Sequence, residues 1–367
     1  MKILILSQHI FPMQTPRAHR TTELMKEFAR QGHEVTVYAV LGKHDYTDFL
    51  NQFPTITFKN ISLKWMYHAY NSDGDGKRYF IDKAFGKLLG KRYLFPNFEF
   101  YYRVQEILKN DNDYDAVISI ADPHQIHWGV ASYRKYNPNK FPKIWIADCG
   151  DPFMNNNLTN IFPKKFAKFE HLFCQEADYI TVPETEAANG YYEEYRSKIR
   201  IIPQGFDFDE TREKVEPNNP IPTFAYAGTF YEDIRNPRKF MELLCSIEKP
   251  FKFIVYSNHT ALIDSYQEKL QEKLQIRKGI RREELLLELE KMDFLVNLAN
   301  VNRPNQIPSK LIDYAITDRP ILNVNPTDPN KEWLVEFLSS DYQSGYIIEK
   351  VTRYKISNVV FEFLKLI

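Results

Sequence analysis

The feature that most constrains this chain is an alternation of short apolar runs with helical stretches, which runs once through the first half and restarts near residue 222. Lys2–Leu6 reads as a buried parallel strand, and residues 21–30 as a helix with Leu24 and Phe28 on one face. Gly32 stops that helix, and residues 34–40 form a second strand. Residues 115–120, 143–147 and 179–182 supply later strands with helices between them. The second pass opens at Thr223–Ala227, a strand running into Gly228, followed by a helix over residues 237–246. Strands at 251–256, 274–277, 294–298 and 321–324 follow. Alternation of this kind specifies a parallel, doubly wound sheet. The expected fold is therefore α/β, with two Rossmann-like domains facing a cleft. At 367 residues the chain is long for one core and comfortable for two. The expected boundary divides 1–203 from 204–367, with the last helix free to pack back on the first domain. No repeat of 20–50 residues suggests a solenoid.

Composition excludes several classes. Lys+Arg and Asp+Glu balance at 48 each, so no global field attracts nucleic acid. A hydrophobic fraction of 43% and an aromatic fraction of 15% indicate a packed core. The three cysteines, Cys149, Cys174 and Cys245, are scattered without metal spacing and fit a reducing compartment. The apolar start ends at Ser7, and no run of about 18 apolar residues occurs. The expectation is a cytoplasmic protein, at most peripheral at the inner membrane face.

Pro308-Ser309-Lys310-Leu311-Ile312-Asp313-Tyr314 lies between two apolar strands and reads as a helix with Pro at its first position. A helix start offers unpaired N–H groups and a positive dipole end, a seat for phosphate. Ser309 and Lys310 are the diphosphate candidates. Asp313, one turn above Ser309, is a carboxylate for ribose hydroxyls; the plain alternative is a surface acid on a helix. Gly228 and Thr229 follow the first strand of the second half. Arg235 comes six residues after Thr229, with a guanidinium suited to a diphosphate, or else is a solvated arginine beside Asn236-Pro237.

In the first half, the loop from Ala121 to His127 follows a strand end, where doubly wound sheets place ligands. His124 or His127 there can bond a sugar or an acceptor, or simply fill polar space. Asp148-Cys149-Gly150-Asp151-Pro152 follows another strand end, with Asp151 favoured as the residue that positions an acceptor hydroxyl. Asp73-Gly74-Asp75 matches a D-x-D metal pattern only superficially and reads as a surface turn, so no metal is expected. Lys77, Arg78, Lys83, Lys87, Lys91 and Arg92 interleave with aromatics such as Tyr79, Phe85 and Tyr93. Such a stretch suits either an anionic membrane surface or an ordinary amphipathic helix.

Several of these segments together resemble the GT-B glycosyltransferases of family 4, a retaining group. Arg20 to Gly32-His33-Glu34-Val35 resembles the family's opening helix and its "G-H-x-V" strand entry. Ala177-Asp178-Tyr179-Ile180-Thr181-Val182 is similar to the strand before the hinge, and Ile202-Pro203-Gln204-Gly205-Phe206-Asp207 to the hinge itself. Ala225-Tyr226-Ala227-Gly228-Thr229 resembles the "Y-x-G" strand, and Pro308 to Tyr314 the "P-S-K-l-x-E-Y" helix that binds the sugar nucleotide.

The resemblance implies a transferase that moves a sugar from a nucleoside diphosphate-sugar to a glycan or lipid-linked hydroxyl acceptor, in cell-surface polysaccharide or glycolipid assembly. It implies no cofactor and no metal, and closure of the domains about the Pro203–Asp207 hinge. Arg235, Lys310, His124 and Asp151 are then the catalytic candidates, with Gly228, Thr229, Ser309, Asp313 and Asn305 at the donor. There are departures. The family's two Glu residues with seven between them are replaced by Asn305 and Asp313. Its Gly-Gly loop is replaced by Pro12-Met13-Gln14-Thr15-Pro16-Arg17, which leaves Thr15 or Arg17 to approach a phosphate. A GT-B sugar-nucleotide epimerase and a catalytically weak nucleotide-sugar-binding scaffold stay open as alternatives.

Overall fold

The computed structural model describes residues 1–13, 15–64, 90, 93–154, 163–208, 215–301, 309–348 and 351–367, without the side chain of Ser309. The chain divides into two compact units, Met1–Asp207 with Arg353–Ile367, and Phe208–Thr352. Each is a parallel sheet covered by helices.

Unit 1 carries strands β1 (Lys2–Leu6), β2 (Glu34–Ala39), β3 (Ile56–Asn60), β4 (Ala116–Ile120), β5 (Ile144–Asp148), β6 (Tyr179–Val182) and β7 (Ile199–Ile201). They lie side by side in the order β3-β2-β1-β4-β5-β6-β7, all parallel. Its helices include α1 (Pro16–Arg30), α2 (Glu99–Asn110), α3 (Gln125–Tyr136) and α4 (Ala167–Glu176). Unit 2 has β8 (Thr223–Ala227), β9 (Lys252–Tyr256), β10 (Leu274–Arg277), β11 (Phe294–Leu298) and β12 (Ile321–Val324), in the parallel order β10-β9-β8-β11-β12. Helices α5 (Arg238–Cys245), α6 (Arg282–Glu290), α7 (Ser309–Ile316) and α8 (Lys331–Phe337) cover it, and α9 (Ile356–Leu364) returns to unit 1.

Successive side chains of a strand face opposite sides, so one strand feeds two cores. On β1, Leu4 and Leu6 join Trp128, Trp145 and Phe173 on one side, while Ile3 and Ile5 join Leu24, Phe28, Val359 and Phe363 on the other. The second group is where α9 meets α1, with Phe28 and Phe363 ring to ring at 6.4 Å. Burying Val359, Val360 and Phe363 there is worth roughly 1.5–3 kcal/mol each. Gly205 permits the approach of α9, because a Cβ at that position would stand 2.4 Å from the Ile356 Cδ1 methyl.

Two strands, β3 and β7, have no counterpart in the sequence reading. Both are short edge strands of mixed polarity. Helix α1 begins five residues before the expected Thr21, because Thr15 caps it by accepting from the Ala18 N–H at 3.2 Å and Pro16 takes the first helical position. Gly32 does terminate it, at φ +82°, with its N–H on the Ala29 carbonyl.

Candidate functional site

In an open parallel sheet the ligand crevice lies beyond the strand ends where the strand order reverses. Unit 2 reverses between β8 and β11, so its crevice is bounded by the Gly228 loop, the segment after Leu298 and the start of α7. Gly228 has φ +139°, a conformation that favours glycine, and its N–H is bonded to Tyr256 O. Helix α7 is pinned beneath it: the Tyr314 hydroxyl donates to the Ala227 carbonyl at 3.4 Å and accepts from the Ala227 N–H at 2.8 Å.

That pinning brings Lys310 under the Gly228 loop. Its Cδ stands 3.7 Å from where a Gly228 Cβ would lie, and its Nζ lies 4.1 Å from the centre of the Tyr226 ring. The Tyr226 hydroxyl is committed to Thr229 O at 3.1 Å. Lys310 Nζ is buried without a hydrogen-bond partner, and so are Arg235 Nε and Asn300 Oδ1. Arg235 is held by its backbone bond to Tyr231 O and by the Tyr231 ring 5.2 Å from its guanidinium carbon. Burial, reinforced by the Arg235 charge, pushes the Lys310 ammonium well below its usual range. Among the described residues neither Lys310 Nζ nor Arg235 Nε has a hydrogen-bond partner, and a glycine loop and a helix start lie beside them.

Asp313 is engaged within the unit, with Oδ1 accepting from Arg282 Nε at 2.8 Å and ion-paired to Nη2 at 2.7 Å. Ser309 opens α7, and Thr229 is half-buried in the Gly228 loop. Asn305 lies outside the described residues, as do Asp73, Asp75 and the basic residues from Lys77 to Arg92. Among the described residues, no group of His, Cys, Asp or Glu is placed to hold a metal ion, and no helix is long and apolar enough to cross a membrane.

Unit 1 reverses between β1 and β4, and its charges there are paired. Asp148, at the end of β5, is buried. Its Oδ1 accepts from Arg20 Nη2 at 2.9 Å and Thr181 Oγ1 at 2.7 Å; its Oδ2 accepts from Arg20 Nε at 3.2 Å and Arg17 Nη1 at 3.4 Å. Burial works to raise this carboxyl, but the two arginines and the bonds from Arg20 and Thr181 hold it below the usual range. Arg20 also donates to the carbonyls of Ile202 and Pro203. Of the two carboxylates in the Asp148–Pro152 segment, Asp148 is therefore not open to an acceptor, because its lone pairs are already taken. Gly150 gives Arg17 its path, since a Cβ there would stand 2.1 Å from Arg17 Nη2.

His124 caps α3 with its ring buried and Nδ1 unpartnered. Burial and the Arg17 charge lower its pKa to about 4, against a bond to the Asp151 backbone, so it is a neutral imidazole. Asp151 is half-buried beside it. His127 is structural. It is buried between Ser119 Oγ at 2.7 Å and Cys149 Sγ at 3.3 Å, with the thiol pushed up to about 12 by burial. Thr15 is committed to the cap of α1, while Arg17 reaches the strand ends. Sequence reasoning missed Glu170, which is buried and holds the loop after β5 by accepting from Phe153 N at 2.6 Å, Met154 N and Tyr192 OH. An acid on a helix carries no local signal of such a role.

A sequence model of Glycosyltransferase Family 4 matches residues 18–210, more than half of the chain. The chain belongs to that family. No curated protein matches it in sequence. Among solved structures, a glycosyltransferase from Rickettsia africae is similar over 99% of this chain and 97% of that one, with a TM-score of 0.65 at 13% identity. The lipopolysaccharide outer core galactosyltransferase WaaB matches over 100% and 99%, with a TM-score of 0.62 at 12% identity. Anabaena HepE, solved with UDP and glucose, matches over 100% and 95%, with a TM-score of 0.55 at 9% identity. At such identities the likeness shows the fold, two parallel-sheet α/β domains of the GT-B class.

Proposed function

We propose that this protein transfers a sugar from a nucleoside diphosphate-sugar to a hydroxyl of a glycan or lipid-linked acceptor in cell-surface glycan assembly, with retention and without a metal. One observation carries the reading: Lys310 Nζ and Arg235 Nε, at the sheet end of unit 2, are buried with no hydrogen-bond partner among the described residues. A buried cation is costly unless a partner compensates it, and here a diphosphate is the partner that fits. The start of α7 completes such a seat. Family membership supplies the reaction class, and HepE, a structural neighbour solved with UDP and glucose, supports the donor class.

In this reading the departing diphosphate gathers negative charge as its bond to the sugar anomeric carbon breaks, and Lys310 and Arg235 stabilise that charge. Asp313, oriented by Arg282, faces the ribose, with Ser309, Thr229 and Asn305 as further donor contacts. His124 and Asp151 in unit 1 serve the sugar and the acceptor hydroxyl. The neutral imidazole with a free Nδ1 suits a hydroxyl partner rather than an anion.

Incubation with UDP-, GDP- and ADP-sugars tests this. Nucleoside diphosphate release that depends on an added acceptor is the expected result. A changed sugar still attached to its nucleotide would point to epimerisation, and nucleotide binding with neither reaction to a scaffold.

A further inference from the structure

Glu170 is an acid where packing calls for an apolar residue. The buried positions of α4 are Glu170, Phe173 and Cys174, three and four residues apart and so on one face. The carboxylate is committed to the loop after β5. Its Oε1 accepts from the Phe153 N–H at 2.6 Å and the Met154 N–H at 3.2 Å. Its Oε2 accepts from the Met154 N–H at 3.3 Å and the Tyr192 hydroxyl at 3.1 Å. Burial pushes this carboxyl above its usual range, with the bonds from Met154, Phe153 and Tyr192 acting against it. An acid on a buried face carries a desolvation cost that a leucine does not, so what it adds is the fixed place of the loop. At the start of that loop, the Cys149 N–H is held by the Thr181 carbonyl at 2.8 Å. At its end stand Phe153 and Met154, which leaves only Gly150, Asp151 and Pro152 between the two anchors. The Asp151 backbone bonds His124, and the Phe153 ring meets the His124 ring at 5.5 Å and Trp128 at 4.9 Å. Glu170 thus holds both the loop that bears Asp151 and the ring that covers His124.

We propose that Glu170 is a positioning residue for the acceptor: through Phe153 and Met154 it sets where Asp151 and the His124 imidazole meet the acceptor hydroxyl. The inference rests on the acceptor reading of unit 1 given above. Glu170 itself touches no reacting atom. Without its carboxylate the Phe153 and Met154 N–H groups lose their acceptor, and turning them out to water draws the loop away from His124.

Glu170→Leu, Glu170→Gln and His124→Ala, each made in the full chain, test it. The His124 imidazole, identified by the NMR signal that His124→Ala removes, should titrate at about 4 in the parent and move towards the usual 6.5 in Glu170→Leu as its cover is lost. With the nucleotide-sugar and acceptor that give release, kcat/KM for the acceptor should fall on the order of 10²-fold in Glu170→Leu. Affinity for the released nucleoside diphosphate should stay at the parent value. Glu170→Gln keeps an oxygen for the two N–H groups and should restore both the titration and the transfer. A role in stability alone would move neither. Should Glu170→Leu not fold, Tyr192→Phe removes one bond to Oε2 and must show the same two changes at smaller size. A His124 titration that stays at the parent value in these variants would overturn the proposal. So would Glu170→Leu transferring like the parent where His124→Ala does not. Parent-like transfer by His124→Ala would instead take down the acceptor reading of unit 1, and this inference with it.

Discussion

The two sheet ends are built alike and charged differently. Beyond β1 and β4, Arg20, Arg17, Asp148 and Thr181 form a closed set in which the carboxylate and both arginines have partners. Beyond β8 and β11, Lys310 Nζ and Arg235 Nε are buried with none. The first arrangement holds the fold together, because a buried ion is tolerable only when compensated. In the proposed function, the second is the cost that a bound diphosphate offsets. A paired cluster at a strand end therefore reads as scaffold and an unpaired one as a site, even where both occupy the position the topology reserves for ligands.

The largest expected effect tests the closed set. Asp148→Ala strands the Arg20 guanidinium in unit 1 and should cost about 3–5 kcal/mol in urea unfolding. A loss below about 1 kcal/mol would mean that the pair contributes little and that the contrast between the two ends is overstated.

The next concerns pH. His124 in the fold has a pKa of about 4 instead of the usual 6.5, chiefly through burial. Between those values the unfolded chain binds the proton and the folded one does not, so stability rises with pH. The contribution is complete above about pH 6.5 and is lost as the pH falls towards 4, by roughly 3 kcal/mol in all. His127, also lowered by burial, acts in the same direction. Unfolding midpoints of the parent and His124→Asn between pH 7 and 4.5 measure this, and the variant should show a flatter profile. Parallel profiles would contradict a buried neutral imidazole.

The smallest effect belongs to the open set and falls on binding. Lys310→Met or Arg235→Met should weaken nucleoside diphosphate affinity by roughly 10–150-fold, the loss of one charge-assisted bond of about 1.5–3 kcal/mol. Thermal stability of the unliganded variants should hold or rise, since an uncompensated buried cation has gone. Variants that bind like the parent, or that unfold as Asp148→Ala does, would show that the two ends play the same role.

Most strands were legible because their signal is local. Thr223–Ala227, Phe294–Leu298 and Ile321–Val324 are short apolar runs that carry their own punctuation, and Leu274–Arg277 shows a clear alternation. Strands β3 and β7 were not, since their residues are mixed and neither carries a run or an alternation that stands out from its surroundings. The start of α1 was misjudged for a similar reason: the Thr15-Pro16 cap was available, but Arg17 to Arg20 carried no apolar period to extend the helix back to it. At the site, Lys310, Gly228 and Arg235 were identifiable as residue types at strand and helix ends, a matter of order along the chain.

What the sequence determined alone was the alternation, the α/β class and which loops stand at the ends of strands, because burial period and turn chemistry act over a few residues. The tertiary structure decided which charges meet. It paired Asp148 with Arg20 across 128 residues, gave Asp313 to Arg282, and brought the last helix back to α1. It also left Lys310 Nζ and Arg235 Nε buried with no hydrogen-bond partner among the described residues. Charge pairing depends on distance and dielectric in three dimensions, and neither is encoded in the spacing of residues along the chain.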